Sequence, residues 1–232
     1  MGLYERWILP RLIDWTMRAG DLARYRERLV PLARGRVLEI GVGSGLNLPC
    51  YSGGAERVIG LDPSPELLRR AASLAARAVC PVHLIQAAAE AIPLADRSVD
   101  TVVMIWALCS LGDARAGLAE MRRVLRPDGE LLFVEHGLAP EPGVAAWQHR
   151  LDPLWTRLSC HLDNPVERLL GEAGFEIVEL RSGYLGRGPK PMTFLYEGRA
   201  RQAAGADPQP SRTPDAGFSA PGPTHRDPGA AP

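Results

Sequence analysis

Glu39-Ile40-Gly41-Val42-Gly43-Ser44-Gly45 follows directly on the run Arg36-Val-Leu-Glu-Ile40. A short β-branched and Leu-rich run that breaks into three alternating glycines reads as a buried strand entering a tight turn, whose bare backbone lets a ligand come close. The next run, Arg57-Val-Ile-Gly-Leu61, ends at Asp62, which puts an acid beside the same turn. A carboxylate there suits a ribose, because both hydroxyls can donate to it. Leu46 stands where a dinucleotide fingerprint has its third glycine, so the spacing is G-x-G-x-G and a nicotinamide cofactor is disfavoured. The alternative reading is a tight turn that holds no ligand.

Outward from this loop, apolar residues alternate between two periods. Val82 to Ile85, Val99 to Ile105 and Leu131 to Val134 read as further buried strands. Between the strands come helices with explicit punctuation. Ser64 caps one, with Pro65 at its first position; Asp113 caps a second, stopped by Pro127-Asp128-Gly129; Asn164-Pro165-Val166-Glu167 resembles a capping box opening a third that ends at Gly174. Such alternation means βαβ units and a parallel, doubly wound α/β sheet covered on both faces. Phe175 to Leu180 and Met192 to Tyr196 are joined by a short Gly/Pro loop and are expected to pair antiparallel. Leu3 to Met17 and Leu22 to Leu32 read as two helices that pack on the core or cover the active site rather than lie on a membrane. The expected organisation is therefore N-terminal helices over residues 1–35, the α/β domain over 36–198, and a Pro/Gly/Ala-rich tail over 199–232 too poor in large apolar residues to fold.

Composition narrows the function. The chain has 232 residues, 46% of them apolar, and balances 27 basic against 27 acidic side chains, so it lacks the broad positive field that gripping nucleic acid requires. Cys50, Cys80, Cys109 and Cys160 form no CxxC pair, so neither a metal knuckle nor a disulfide scaffold is expected, and a reducing cytoplasmic setting fits. Glu5, Arg6, Arg11, Asp14 and Arg18 interrupt the N-terminal apolar residues, leaving no run long enough for a signal sequence or a transmembrane helix and allowing at most weak membrane association. Arg6 occupies the place where a myristoylation motif needs Ser or Thr.

Taken together, Val37 to Leu48, Gly60-Leu-Asp-Pro-Ser64, Glu90 to Asp100 and Glu120 to Leu131 resemble the class I S-adenosylmethionine-dependent methyltransferases, in the group of the ubiquinone-biosynthesis and type 11 enzymes. Leu108-Cys-Ser-Leu111, Val134-Glu-His-Gly137, Trp147 to Thr156 and Cys160-His-Leu-Asp163 are similar to bacterial relatives of the methyltransferase-like proteins that methylate alkyl thiols. The resemblance covers about residues 1 to 198 and implies a mostly parallel seven-stranded sheet with an antiparallel final strand. It further implies S-adenosylmethionine as cofactor, with Glu39, Gly41, Gly43, Ser44 and Gly45 along the methionine arm and Asp62 on the ribose. Ala88 stands where the family commonly has an acid for the adenine. Backbone around Ala88 and Ala89, or Glu90, is expected to take that role, and Trp106 either lies against adenine or acceptor or packs in the core.

Methyl transfer from a sulfonium is an in-line displacement of a good leaving group, so alignment dominates and no fixed dyad is required. A thiol or alcohol acceptor still gains from a base. His161, His136 and Asp163 lie near the expected cleft; each histidine reads as base or substrate contact, or as a neutral residue satisfied by a carbonyl. Met104-Ile-Trp-Ala-Leu-Cys109 lacks the Asn/Asp-Pro-Pro-aromatic signature of base and amide methylation, and Cys109 reads as a small buried thiol. Trp147, Leu151, Leu154, Trp155 and Leu158 are expected to pack inward and, with the N-terminal helices, roof a lipophilic pocket for a small acceptor. The alternatives are a quinone precursor or phospholipid headgroup as acceptor, and a non-catalytic cofactor-binding partner protein.

Overall fold

The computed structural model describes residues 20–156, 160–186 and 188–204. The expected helix over Leu3 to Met17, Leu158 and most of the tail fall outside them. Helix α1, Gly20–Leu29, runs through a 3-10 turn, Val30–Leu32, into β1, Gly35–Ile40. Then come β2, Ala55–Asp62; α2, Pro65–Ala75; β3, Val82–Gln86; β4, Val99–Ile105; α3, Ala114–Val124; β5, Leu125–His136; α4, Pro142–Trp155; α5, Val166–Glu172; β6, Phe175–Tyr184; and β7, Phe194–Gln202. One turn of helix, Lys190–Thr193, joins the last two strands.

The seven strands form one sheet in the order β3-β2-β1-β4-β5-β7-β6. β7 runs antiparallel to both neighbours and the remaining pairs are parallel, as the sequence led us to expect. Successive side chains of a strand point to opposite faces. Leu38, Ile40, Val102, Met104, Leu131 and Phe133 therefore join α3 and α5 in one core. Val37, Val58, Val103, Ile105, Leu132 and Val134 build the second core, with Leu29, Val30 and Ala71 from α1, its following turn and α2. The chain leaves β1 and β4 towards opposite faces, so a crevice opens between their carboxyl ends, where ligands of doubly wound sheets bind.

Local signals held where they were strong. Ser64 accepts from the Leu67 N–H, and Asp113 accepts from the N–H groups of Arg115 and Ala116. The third cap is a correction: α5 starts after Pro165 with no side-chain cap, and the Asn164 amide nitrogen lacks a partner. There the Asn164 carbonyl is the useful group, accepting from Leu138 and Val166. β5 begins at Leu125, well before Leu131, and the Pro127-Asp128-Gly129 signal survives as a bulge, because Val99 pairs with Leu125 but Thr101 with Glu130. The tail boundary also moves: β7 pairs through Gln202, so residues 199–202 belong to the sheet.

The helix α4 meets the expectation only in part: Leu151 and Trp155 are half-buried, but the face between them turns inward on a polar residue. Trp147 and Leu154 are each 55% exposed, whereas Gln148 is buried. The Gln148 carbonyl accepts from Ala139 N–H at 2.8 Å, and its amide donates to the carbonyls of Gly137 and Leu162, each at 3.0 Å. Irregular backbone entering a core must find partners. One amide supplies three of them, and that fixes which face of the helix turns inward.

Candidate functional site

The glycine turn occupies the crevice between β1 and β4. Gly41, Gly43 and Gly45 all have left-handed backbone, with φ of 64°, 55° and 84°. A Cβ at Gly41 would lie 2.9 Å from the Ala107 side chain, and one at Gly45 would lie 3.0 Å from Leu48 and 3.1 Å from Ala71. These two glycines serve close packing. At Gly43 the nearest atom is a carbonyl 3.8 Å away, so its bare face fronts open space.

Asp62 holds this turn in place. Its Oδ2 accepts from Gly43 N–H at 3.0 Å and its Oδ1 from Ser64 N–H at 2.8 Å. Burial raises its carboxyl above the usual range against those two bonds. A carboxylate has about four acceptor positions, so two remain for hydroxyls. Ser44 is buried in the turn beside them.

Glu39 is fully buried. It accepts from Asn47 Nδ2 and from the Tyr51 hydroxyl, each at 2.8 Å. Burial pushes its carboxyl up to about 7, against those bonds and the nearby Arg26 cation. Asn47 and Tyr51 escaped the sequence reading, although both lie within a dozen residues of the glutamate.

Across the crevice, β4 is followed directly by Trp106, whose φ of 53° is an outlier for a bulky residue. The ring lies edge-on to Tyr25 of α1, at 6.1 Å between centroids, and beneath the Arg26 guanidinium at 5.0 Å. Among the described residues its buried Nε1 has no partner. Glu135, on β5, accepts from Ala107 N–H at 2.8 Å, and the backbone N–H groups of Leu108 and Cys109 also favour its charged form. Burial pushes this carboxyl up to about 8, so it is largely protonated at neutral pH. In the sequence it stood within Val134-Glu-His-Gly137, with no role assigned to it.

Ala88 is exposed and Ala89 buried at the end of β3, and Glu90 accepts from the N–H groups of Gly112 and Asp113 at 2.9 and 3.2 Å. Glu90 thus ties that loop to the one leading into α3. Cys109 is buried, as expected of a packing thiol, and a hydrogen bond to Cys160 and burial both push it up.

The expected catalytic residues separate into two groups. His136 ends β5 opposite Leu195 of β7, and burial pushes it down to about 4, leaving it neutral. His161 is carried to the crevice by the segment before α5: its N–H donates to the Cys109 carbonyl at 2.8 Å. Its ring Nδ1 lies 3.2 Å from Asp152 Oδ2, and Asp152 Oδ1 accepts from Leu162 N–H at 2.8 Å. Asp163 instead holds His149 Nδ1 at 2.7 Å. The sequence placed His161 and Asp163 together but missed Asp152 and His149, because a helix and a loop bring these pairs face to face. Ligating atoms of Asp152, His161 and Asp163 lie within 4.8 Å of one another, but each carboxylate is already engaged with an imidazole.

A doubly wound sheet with a reversed β7, a G-x-G-x-G turn and an acid ending β2 defines a class I methyltransferase fold. The methyltransferase domain family matches residues 38–133. The chain is 33% identical to a phosphatidylethanolamine N-methyltransferase of Cereibacter sphaeroides over 180 residues, covering 76% of this chain and 87% of that one. It is also 33% identical to the thiol S-methyltransferase TMT1B of Homo sapiens, covering 72% and 69% of the two chains. Among solved structures, the N-methyltransferase NodS of Bradyrhizobium japonicum in complex with S-adenosyl-L-homocysteine superposes with a TM-score of 0.65 at 19% identity, over 85% of this chain and 97% of that one. The chain belongs to the S-adenosylmethionine-dependent class I methyltransferases, and S-adenosylmethionine is its cofactor. The open face of Gly43 and the acceptor positions left on Asp62 fit that group.

Proposed function

We propose that this methyltransferase acts on a small lipophilic thiol, with His161 as the base. The observation that carries the reading is the 3.2 Å approach of His161 Nδ1 to Asp152 Oδ2. When Asp152 accepts from Nδ1–H, the Nε2 lone pair is free to take a proton, and the second Asp152 oxygen is fixed by the Leu162 N–H. S-adenosylmethionine supplies a sulfonium-bound methyl group. Held at the glycine turn and Asp62, it would give its methyl to the acceptor sulfur and leave as the neutral thioether, while His161 Nε2 would take the thiol proton. The relative named a thiol S-methyltransferase supports this acceptor class.

A phospholipid headgroup amine is the second reading, supported by the relative named a phosphatidylethanolamine N-methyltransferase at the same identity. No helix among the described residues is long and apolar enough to cross a membrane. A reducing cytoplasmic setting belongs to the same proposal, supported by the four free cysteines. The test is transfer of labelled methyl to thiols, phenols, quinols and lipid amines under one set of conditions. Highest kcat/KM on an alkyl thiol supports the reading; highest kcat/KM on a lipid amine replaces it with the second.

A further inference from the structure

Arg26 lies on the inward side of α1 with 5% of its surface exposed. A buried cation ordinarily has a hydrogen-bonded carboxylate, because otherwise its lost hydration is uncompensated. The other arginines of the helix are accounted for: Arg28 pairs with Glu197 of β7, and the exposed Arg24 rests over Tyr25. Arg26 is different. One side of its guanidinium is covered by the Trp106 ring. The Cys50 thiol and the Glu39 carboxylate act on it electrostatically, but Glu39 spends its hydrogen bonds on Asn47 and Tyr51. Among the described residues, no carboxylate is hydrogen-bonded to this guanidinium, and burial lowers its pKa from the usual arginine value.

Position makes the vacancy specific. Trp106 directly follows β4 and Glu39 sits near the end of β1, so the ring that covers Arg26 and the carboxylate whose charge reaches it flank the mouth of the glycine turn. The methionine arm of S-adenosylmethionine ends in an α-carboxylate. A guanidinium binds such a group through parallel N–H donors, and a site kept dry by Trp106 and α1 strengthens the pair.

We propose that Arg26 anchors the α-carboxylate of the cofactor, so that α1 forms one wall of the cofactor site. The inference rests on reading the glycine turn as the cofactor's cradle. Trp106 then acts as a positioning residue that holds the guanidinium from behind, which accounts for an aromatic side chain being kept at a left-handed backbone position.

The test is calorimetric titration of the full chain with S-adenosylmethionine and with decarboxylated S-adenosylmethionine, which keeps the adenosine, the sulfonium and the amine. The wild type is expected to bind the carboxylated form at least about tenfold tighter, and R26M, which retains an unbranched stem against Trp106, to bring the two within about twofold. R26Q carries the same expectation should R26M not fold. Equal affinities in the wild type, a wild-type ratio retained in the variant, or an equal loss of both ligands would each overturn the anchor. A wild type that binds neither ligand would instead remove the cradle on which it rests.

Discussion

The backbone N–H of Gly43 donates to Asp62 Oδ2 at 3.0 Å, joining the turn after the first strand to the end of the second. Asp62 thus does two things with one carboxylate: it sets the turn and leaves acceptor positions for a sugar. Asp62→Ala is expected to weaken cofactor binding by about 1.5–3 kcal/mol, the range for hydrogen bonds to a charged group. Gly43→Val should abolish binding, since its side chain would fill the open face and its φ of 55° is strained for a β-branched residue. Calorimetry on the folded variants checks both, and unchanged affinity would remove the turn from the site.

For the His161–Asp152 pair, the split between kinetic constants is informative. His161→Ala should cut kcat by on the order of a hundredfold or more while leaving cofactor affinity unchanged, because the imidazole lies apart from the glycine turn. Asp152→Asn should give a smaller loss in the same constant, since it misorients a base that is still present. With a thiol acceptor, the His161→Ala deficit shrinks as pH rises and more of the acceptor ionises unaided. A deficit constant from pH 6 to 9, or one shared by cofactor binding, would count against the base.

Two buried carboxyls make stability depend on pH. Glu39 is raised to about 7 and Glu135 to about 8, so both bind protons in the folded state that the unfolded chain has released. A raised folded value means stability fully present below the unfolded pKa and lost as pH rises through the folded one. His136, lowered to about 4, works oppositely, losing stability as pH falls below its unfolded value of about 6.5. Between pH 6.5 and 8 the glutamates act alone of these three, and Tm should decline. Glu135→Gln, neutral throughout, should flatten that decline; an unchanged slope in thermal melts would show that Glu135 does not bear it.

At the end of the last strand, the Gln202 amide donates to the carbonyls of Arg122, Leu125 and Arg126. Those carbonyls close α3 and open β5, so Gln202→Ala should cost about 1–3 kcal/mol. Deleting 205–232 should move Tm by less than about 4 °C, roughly 1 kcal/mol for a domain of this size. Melting curves of the two proteins separate the contributions; a larger drop from the deletion would mean that the segment packs on the domain.

Legibility in the sequence followed distance along the chain. Ser64 and Asp113 were readable as caps because their partners lie two or three residues away. The strands were readable because fully buried runs between turn residues carry their own signature. Asp62 was readable because it ends a strand next to the glycine turn. Arg26, Gln148 and Asp152 were not, since each acquires meaning from groups that only the fold brings near: a tryptophan eighty positions on, the two ends of a loop, a histidine beyond the helix. A polar residue in an apolar helix looks locally like an interruption. In Gln148 it is the inward face.

The reversed strand β7 has a practical corollary. It begins at Phe194, level with His136 at the crevice edge of the sheet, and ends at Gln202 beside Phe175 and the carbonyl of Leu125, at the opposite edge. The backbone therefore leaves β7 on the side remote from the glycine turn, whereas α1 sets Tyr25 and Arg26 against Trp106 at the crevice. A purification handle, fluorophore or immobilising tether attached at Ala204 should therefore leave access to the glycine turn untouched.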